Sequence, residues 1–213
     1  MPFSDRYREA GLKRNPFVAR ASVDEPSPSF VDRGIPAPPP PGSRTLVQVV
    51  GDSGVGKSAH LNYWRTLTPG PFHYIERLPY RARWQRPPTG AIVYGDEIDR
   101  MPRVLRRQWF RSLASANATL VIGTHTDLRL SGEATGFNVL THQLMAFDEG
   151  ALHTFLNAQL AGAAITPGHF RFSGEEVSAI FSRSDGNAGH AEVLAHRALA
   201  EAVRTLGSQK RPT

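Results

Sequence analysis

The segment Gly51–Ser58 is the feature that most constrains this 213-residue chain. It reads GDSGVGKS, matches the phosphate-binding pattern G-x-x-x-x-G-K-[ST], and follows the apolar run 45–50. Glycines let such a loop curl so that several backbone N–H groups point at one phosphate chain. The lysine then reaches the β- and γ-phosphates, and the hydroxyl ligates Mg²⁺. We therefore expect a nucleoside triphosphate to contact Gly51, Asp52, Ser53, Gly54, Val55, Gly56, Lys57 and Ser58.

Composition excludes several other kinds of protein. The chain has no cysteine, which rules out disulfides, thiolate metal sites and a cysteine nucleophile. No apolar run approaches the roughly 18 residues of a membrane-spanning helix, and the N-terminus lacks the apolar core of a signal peptide. These features predict a cytoplasmic protein without a membrane-spanning segment. The net charge of +6, carried mainly by arginine, leaves contact with nucleic acid open.

The pattern along the chain predicts four segments. Residues 1–44 become rich in proline, which is incompatible with regular helix or central strand, and form a strap or linker. Residues 45–147 alternate strand and helix candidates, which predicts a three-layer α/β sandwich around a mostly parallel five-stranded sheet. Because this segment contains the loop Gly51–Ser58, it is the predicted P-loop ATPase core. Residues 148–207 contain helix candidates alone and form a small helical lid. Residues 208–213 form a flexible tail.

Periodicity gives approximate bounds for the elements. Strands are predicted at 45–50, 72–76, 91–95, 119–123 and 138–146. Helices are predicted at 58–67, 102–115, 127–134, 149–161, 173–184 and 189–206. In the helix 102–115, Leu105, Trp109 and Leu113 recur every four residues and predict the buried face. The opposite side carries a row of arginines that is either a solvated face or a contact with a polyanion or another subunit: Arg103, Arg107 and Arg111.

Two further strands are followed by polar side chains. Asp96 and Glu97 follow an apolar strand, as in a Walker B motif, where Asp96 would hold Mg²⁺ and Glu97 would polarise the attacking water. Thr124 and His125 end the next strand, where one of them would sense the γ-phosphate or hold the water. The alternatives are a helix N-cap for Thr124 and a surface or core-edge histidine. With Lys57, these residues form the predicted catalytic set, because the carboxyl ends of parallel strands face one crevice.

Together, the motifs of residues 45–206 resemble those of an AAA+ ATPase. Asn15-Pro16-Phe17 is similar to a segment that precedes AAA+ cores of the ExeA-like and replication-initiator-like kind and lies by the adenine. The resemblance implies that Pro16 and Phe17 contact the base of ATP, and that Ser58 and Asp96 hold Mg²⁺. It also implies ring or filament assembly. The expected function is to couple ATP binding and hydrolysis to assembly or remodelling of a partner protein or a nucleoprotein complex.

The chain departs from the AAA+ pattern at its arginines. Residues 186–189 resemble the sensor-2 sequence Gly-Asn-x-Arg, but Gly189 stands at the arginine position, with Arg183 and Arg197 as substitutes. No arginine clearly matches the finger that AAA+ proteins contribute across a subunit boundary. The candidates, in order, are Arg129, Arg100 and Arg111. Because such a finger supplies about 10³–10⁵ in rate, we expect slow or partner-dependent hydrolysis.

Two alternatives and one further segment stay open. Gly51–Ser58 is spelled like the loop of Rab-type GTPases, and Asp127 stands where their Asn-Lys-x-Asp motif binds guanine. However, the first two positions of that motif differ, and the D-x-x-G switch is absent after the third strand. The other alternative is a switch or scaffold that binds ATP without rapid turnover. The segment Tyr80–Arg86 interleaves basic and aromatic residues and is the best candidate for contact with nucleic acid or a partner. The alternative, which we favour slightly, is a surface loop that binds no partner and in which Trp84 is packed against the protein.

Overall fold

The computed structural model describes residues 7–17, 30–76, 88–166 and 170–209, with side chains up to residue 205. The chain divides into two compact units. The described part of the first unit comprises residues 32–76 and 88–145. That of the second comprises residues 7–17, 30–31, 146–166 and 170–209. The segment Tyr80–Arg86 therefore lies outside the described residues.

The first unit is built on a five-stranded sheet in which every neighbouring pair of strands is parallel. The spatial order is β2-β3-β4-β1-β5, numbered along the chain. This confirms the predicted α/β P-loop fold. The strands are β1 (Thr45–Val50), β2 (Phe72–Tyr74), β3 (Ile92–Asp96), β4 (Thr119–Thr124) and β5 (Asn138–Gln143).

The second and fifth strands end earlier than the sequence predicts. Tyr74 pairs with Asp96, the last residue of β3, and Gln143 pairs with Val50, the last residue of β1. A strand needs a neighbour to accept its ladder hydrogen bonds. The predictions of strand at 75–76 and 144–146 were therefore wrong, because they followed apolar character past the end of each partner strand.

Helices cover both faces of this sheet: α1 (Lys57–Leu67), α2 (Arg103–Ser115) and the short α3 (Arg129–Glu133). Trp109 of α2 packs with Leu46 and Leu120, whereas Trp64 of α1 packs with Val47 and Val121 in a separate cluster. Alternate residues of β1 and β4 therefore point into different cores, which is why both strands are buried along their whole length. The predicted buried face of α2 is confirmed at Leu105, Trp109 and Leu113.

The second unit contains α4 (Glu149–Ala163), α5 (Gly174–Ser184) and α6 (Ala188–Gln209). Ser173 and Glu176 form the predicted capping box of α5. Gly186, in the turn before α6, has φ 69°, and a Cβ there would lie 2.0 Å from the carbonyl oxygen of Phe147. The glycine that begins the sensor-2-like sequence is therefore required by backbone packing, independently of any nucleotide. Among the described residues, we find no helix of the length and apolarity needed to cross a membrane.

Candidate functional site

The loop after β1 has the shape of an anion cradle. Gly54 and Gly56 adopt left-handed conformations, with φ of 82° and 104°, so the chain turns sharply into α1. Gly56 is the N-cap residue of α1 and provides no side-chain cap. The start of α1, with its first backbone N–H groups and the positive end of the helix dipole, is then directed at the loop.

Lys57 places a cation in this loop. Its side chain is 4% exposed, and its Nζ donates hydrogen bonds to the carbonyl oxygens of Gly51 and Asp52, each at 2.8 Å. Burial lowers the pKa of Lys57, while the nearby carboxylates of Glu97 and Asp96 act in the opposite direction. The loop thus positions a poorly solvated ammonium group, a strong electrostatic partner for phosphate oxygens.

Ser58 and Asp96 form the second part of the site. Ser58 Oγ donates to Asp96 Oδ2 at 2.5 Å, and Asp96 Oδ1 accepts from the backbone N–H of Glu97 at 3.0 Å. Asp96 is 1% exposed, and burial raises its pKa, whereas the hydrogen bond from Ser58 lowers it. A hydroxyl beside a carboxylate fits Mg²⁺, which is commonly held by one or two protein groups, phosphates and water. Within the described chain, no group of three or more His, Cys, Asp or Glu residues suits a metal ion.

Gly123 in β4 is a part of the site that the sequence analysis missed. A Cβ at this position would lie 2.3 Å from Asp96 Oδ1 and 3.6 Å from Lys57 Cβ. Any larger residue would therefore displace the carboxylate of Asp96. The signal was available in the sequence, since a glycine within an apolar strand often marks a close approach of another group.

Glu97 is held by a pair of basic side chains. It follows β3 in a left-handed conformation with φ 60° and is the N-cap residue of the 3₁₀ turn Ile98–Arg100. Its Oε2 lies 2.7 Å from Arg100 Nη2 and 2.9 Å from His125 Nε2. The sequence analysis treated Arg100 as a weak finger candidate, but the structure pairs it with Glu97. The i, i+3 spacing on one helical turn was the signal for this pair.

His125 connects Glu97 to Lys57. Its Nδ1 lies 3.4 Å from Lys57 Nζ, while its Nε2 faces the carboxylate of Glu97. An ammonium group can only donate and a carboxylate can only accept. The neutral tautomer with its proton on Nε2 satisfies both contacts. The strand order explains the arrangement, because β4 lies between β1 and β3 and delivers His125 between the residues that follow them.

Thr124 faces its own turn. Its Oγ1 donates to the carbonyl oxygen of Thr126 at 2.9 Å and accepts from the N–H of Thr126 at 3.2 Å. The side chain is fully buried. Of the two predicted sensor candidates, the structure thus brings His125 into contact with Lys57 and Glu97, and it gives Thr124 a role in closing the turn after β4.

Asp127, the position considered for guanine recognition, is engaged within the fold. Its Oδ1 accepts from Arg129 N at 2.8 Å and from Gln48 Nε2 at 2.5 Å. The Arg129 N–H and then Gln48 lower the pKa of Asp127. Gln48 is fully buried in β1, and its Oε1 accepts from Leu128 N at 2.8 Å. This network fixes the start of α3. It gives Asp127 a structural role that does not involve binding a guanine base.

Asp127→Ala is expected to lower the free energy of unfolding by about 1 kcal/mol. The reason is that the N–H of Arg129, in the first turn of α3, loses the carboxylate that accepts its hydrogen bond. Since the folded-state pKa of Asp127 is lowered, its contribution is present above the unfolded-state pKa and disappears as the pH falls through the folded-state value. Urea denaturation at neutral and acidic pH measures both effects. The ratio of the affinities for ATP and GTP should not change; a selective change in GTP affinity would instead support the GTPase alternative.

The remaining predicted residues are placed as follows. Phe17 is 5% exposed in the second unit, where its ring centroid lies 5.9 Å from that of Phe172, and its N–H donates to Asn15 Oδ1. Contact of Pro16 and Phe17 with adenine stays a prediction. The arginines considered for finger and sensor-2 roles, apart from Arg100, are exposed: Arg111, Arg129, Arg183 and Arg197.

Solved structures share this fold. A mutant of RuvB from Thermotoga maritima superposes with a TM-score of 0.55 at 15% identity over 75% of this chain and 57% of its own. A second RuvB structure from that organism, described as a Holliday junction branch migration motor, gives 0.53 at 16% identity over 72% and 53%. This chain thus spans little more than half of either RuvB chain. The likeness shows the fold alone, and it agrees with the predicted α/β P-loop fold.

Sequence comparisons identify no family for this chain. No protein-family model matches the chain. No curated protein matches it either. The fold likeness therefore rests on structure alone, and the assignment of function rests on the residues of the site.

Proposed function

We propose that the chain binds ATP with Mg²⁺ at the loop Gly51–Ser58 and hydrolyses it. The observation that carries this proposal is the contact network of Lys57, His125 and Glu97 beside the Ser58–Asp96 pair, at the carboxyl edge of three neighbouring strands. That edge is where ligands bind in open parallel sheets. The predicted GTPase has less support, because Asp127 already serves the fold.

Each residue of the network has a distinct role in the proposed reaction. Lys57 and the N–H groups of the loop bind the phosphate oxygens. Ser58 and Asp96 would hold Mg²⁺, which neutralises negative charge that develops on the phosphates. Glu97 orients the attacking water and accepts its proton. His125, donating from Nε2, fixes the carboxylate of Glu97.

The energy of this reaction would serve assembly or remodelling of a partner protein or a nucleoprotein complex, through a ring or filament. The AAA+ resemblance supports this coupling, and one fold neighbour is described as a DNA-junction motor. Arg129 remains our first candidate for the finger: its side chain is half exposed, 3.9 Å from Asp127 Oδ2. We expect ATP turnover to be slow or to depend on a partner. We also expect the protein to act in the cytoplasm.

The second candidate function is a nucleotide-dependent switch or scaffold that turns over little ATP. Its specific support is that Arg100 and His125 already occupy Oε2 of Glu97. Arg100 is itself held by Tyr74 Oη at 3.2 Å and by the carbonyl oxygen of Ile75 at 3.3 Å. A carboxylate paired in this way is a weaker base for water.

The proposal is tested by light scattering on size-exclusion fractions, with and without ATP and Mg²⁺, combined with phosphate release on the same samples. An ATP-dependent increase in mass together with phosphate release is the expected result. A mass increase without release would support the switch. If the protein shows neither a mass increase nor phosphate release, and a fluorescent ATP analogue does not bind it, both candidate functions are wrong.

A further inference from the structure

The exposed side of α2 carries a basic surface that the proposed nucleotide site does not use. We call it the α2 arginine face: Arg103, Val104, Arg107, Gln108, Arg111, Ser112 and Ser115, all exposed. The helix contains no acidic residue. Among the described residues, no carboxylate lies within ion-pair distance of its three exposed arginines.

The arginines of this face are regularly spaced. Four residues advance a helix by about 6 Å and 40° beyond a full turn, so Arg103, Arg107 and Arg111 form one gently winding row about 12 Å long. The buried side of α2, with Trp109 and Phe110, is anchored in the core of the first unit. A surface depression of about 580 Å³ lies beside two of these arginines, Arg107 and Arg111, and is also lined by Val104, Gln108, Ser112 and Ser115.

Unpaired like charges on one rigid face repel each other, and a polyanion relieves that repulsion. We propose that the α2 arginine face binds the phosphate backbone of double-stranded DNA. Guanidinium groups donate two hydrogen bonds to a phosphate, and the neighbouring Gln108, Ser112 and Ser115 supply further donors of the kind that contact DNA backbones. Such contacts position the protein without reading sequence.

The chemistry of the face favours duplex DNA over single-stranded nucleic acid and over a protein partner. Single-stranded nucleic acid is held by aromatic side chains on which bases stack, and the face has none. A protein interface has an apolar centre enriched in aromatic residues, whereas Val104 is the single apolar residue of this face. The inference goes beyond the proposed function, because this contact requires neither ATP nor hydrolysis.

The test is binding of a fluorescent duplex of about 30 base pairs across a salt series, without nucleotide and again with a non-hydrolysable ATP analogue. Three phosphate contacts should contribute about −2.7 to the slope of log K against log salt concentration, because each contact contributes about −0.9. The triple variant R103Q/R107Q/R111Q should lose that part of the slope and bind roughly 500-fold more weakly at 0.1 M salt, the factor that this slope gives relative to 1 M salt. R103K/R107K/R111K, which keeps the charges, should retain most of the slope.

The matched control is R8Q/R171Q/R204Q, which removes the same charge from exposed arginines of the second unit. It should keep the wild-type salt slope. Thermal melting checks that each variant is folded. An equal loss of slope in the two glutamine triples would overturn the proposal, since net charge alone would then explain binding. So would absence of DNA binding, or competition by polyglutamate as strong as that by duplex DNA. ATP binding is measured separately, so failure here leaves the proposed function intact.

Discussion

Glu97→Gln is expected to reduce ATP turnover by about 10²- to 10⁴-fold while leaving ATP affinity within a few-fold of wild type, the range typical for loss of a general base. The amide cannot accept a proton from the attacking water. Its oxygen can still accept hydrogen bonds from Arg100 and His125, the groups that contact Glu97 at 2.7 and 2.9 Å, so the local structure is preserved. Phosphate release at saturating ATP and equilibrium binding of a fluorescent ATP analogue measure the two quantities.

The matched control for this change is Glu133→Gln, an exposed glutamate at the end of α3. It removes the same charge from the same unit and should leave turnover unchanged. If Glu97→Gln turned over ATP at the wild-type rate, the role that we assign to Glu97 would be wrong. If wild type and variant both bound ATP without measurable turnover, the nucleotide-dependent switch would be the better description.

Lys57→Ala is expected to weaken ATP binding by roughly 10- to 150-fold, the equivalent of losing a charged hydrogen bond of about 1.5–3 kcal/mol. The physical reason is that Lys57 is the cation fixed inside the loop, 2.8 Å from the carbonyl oxygens of Gly51 and Asp52. Burial lowers its pKa, so removing the side chain also removes a desolvation cost. The thermal unfolding temperature should therefore change little. Isothermal titration with ATP and Mg²⁺ gives the affinity.

Arg107→Ala is the control for Lys57→Ala, because it removes a positive charge from the exposed side of α2 in the same unit. Its affinity for ATP should equal that of the wild type. An unchanged affinity in Lys57→Ala would contradict the phosphate cradle. A similar loss in both variants would show that ATP responds to overall charge and not to the loop.

Much of the first unit could be predicted because its elements have strong local signals. The apolar runs of β1 and β4, and the four-residue spacing of Leu105, Trp109 and Leu113, each report burial directly. The ends of β2 and β5 could not be predicted in the same way. They stop where β3 and β1 stop, and this depends on which strands become neighbours.

Within the candidate site, the sequence by itself identified the loop Gly51–Ser58, Asp96 and Glu97 as candidates, because these residues belong to short motifs with fixed backbone geometry. Tertiary structure alone decided that His125, and not Thr124, meets Glu97 and Lys57, that Arg100 pairs with Glu97, and that Gly123 leaves room for Asp96. The physical reason is that these contacts join side chains from different strands and turns. Their distances follow from the strand order of the sheet, which no local pattern specifies.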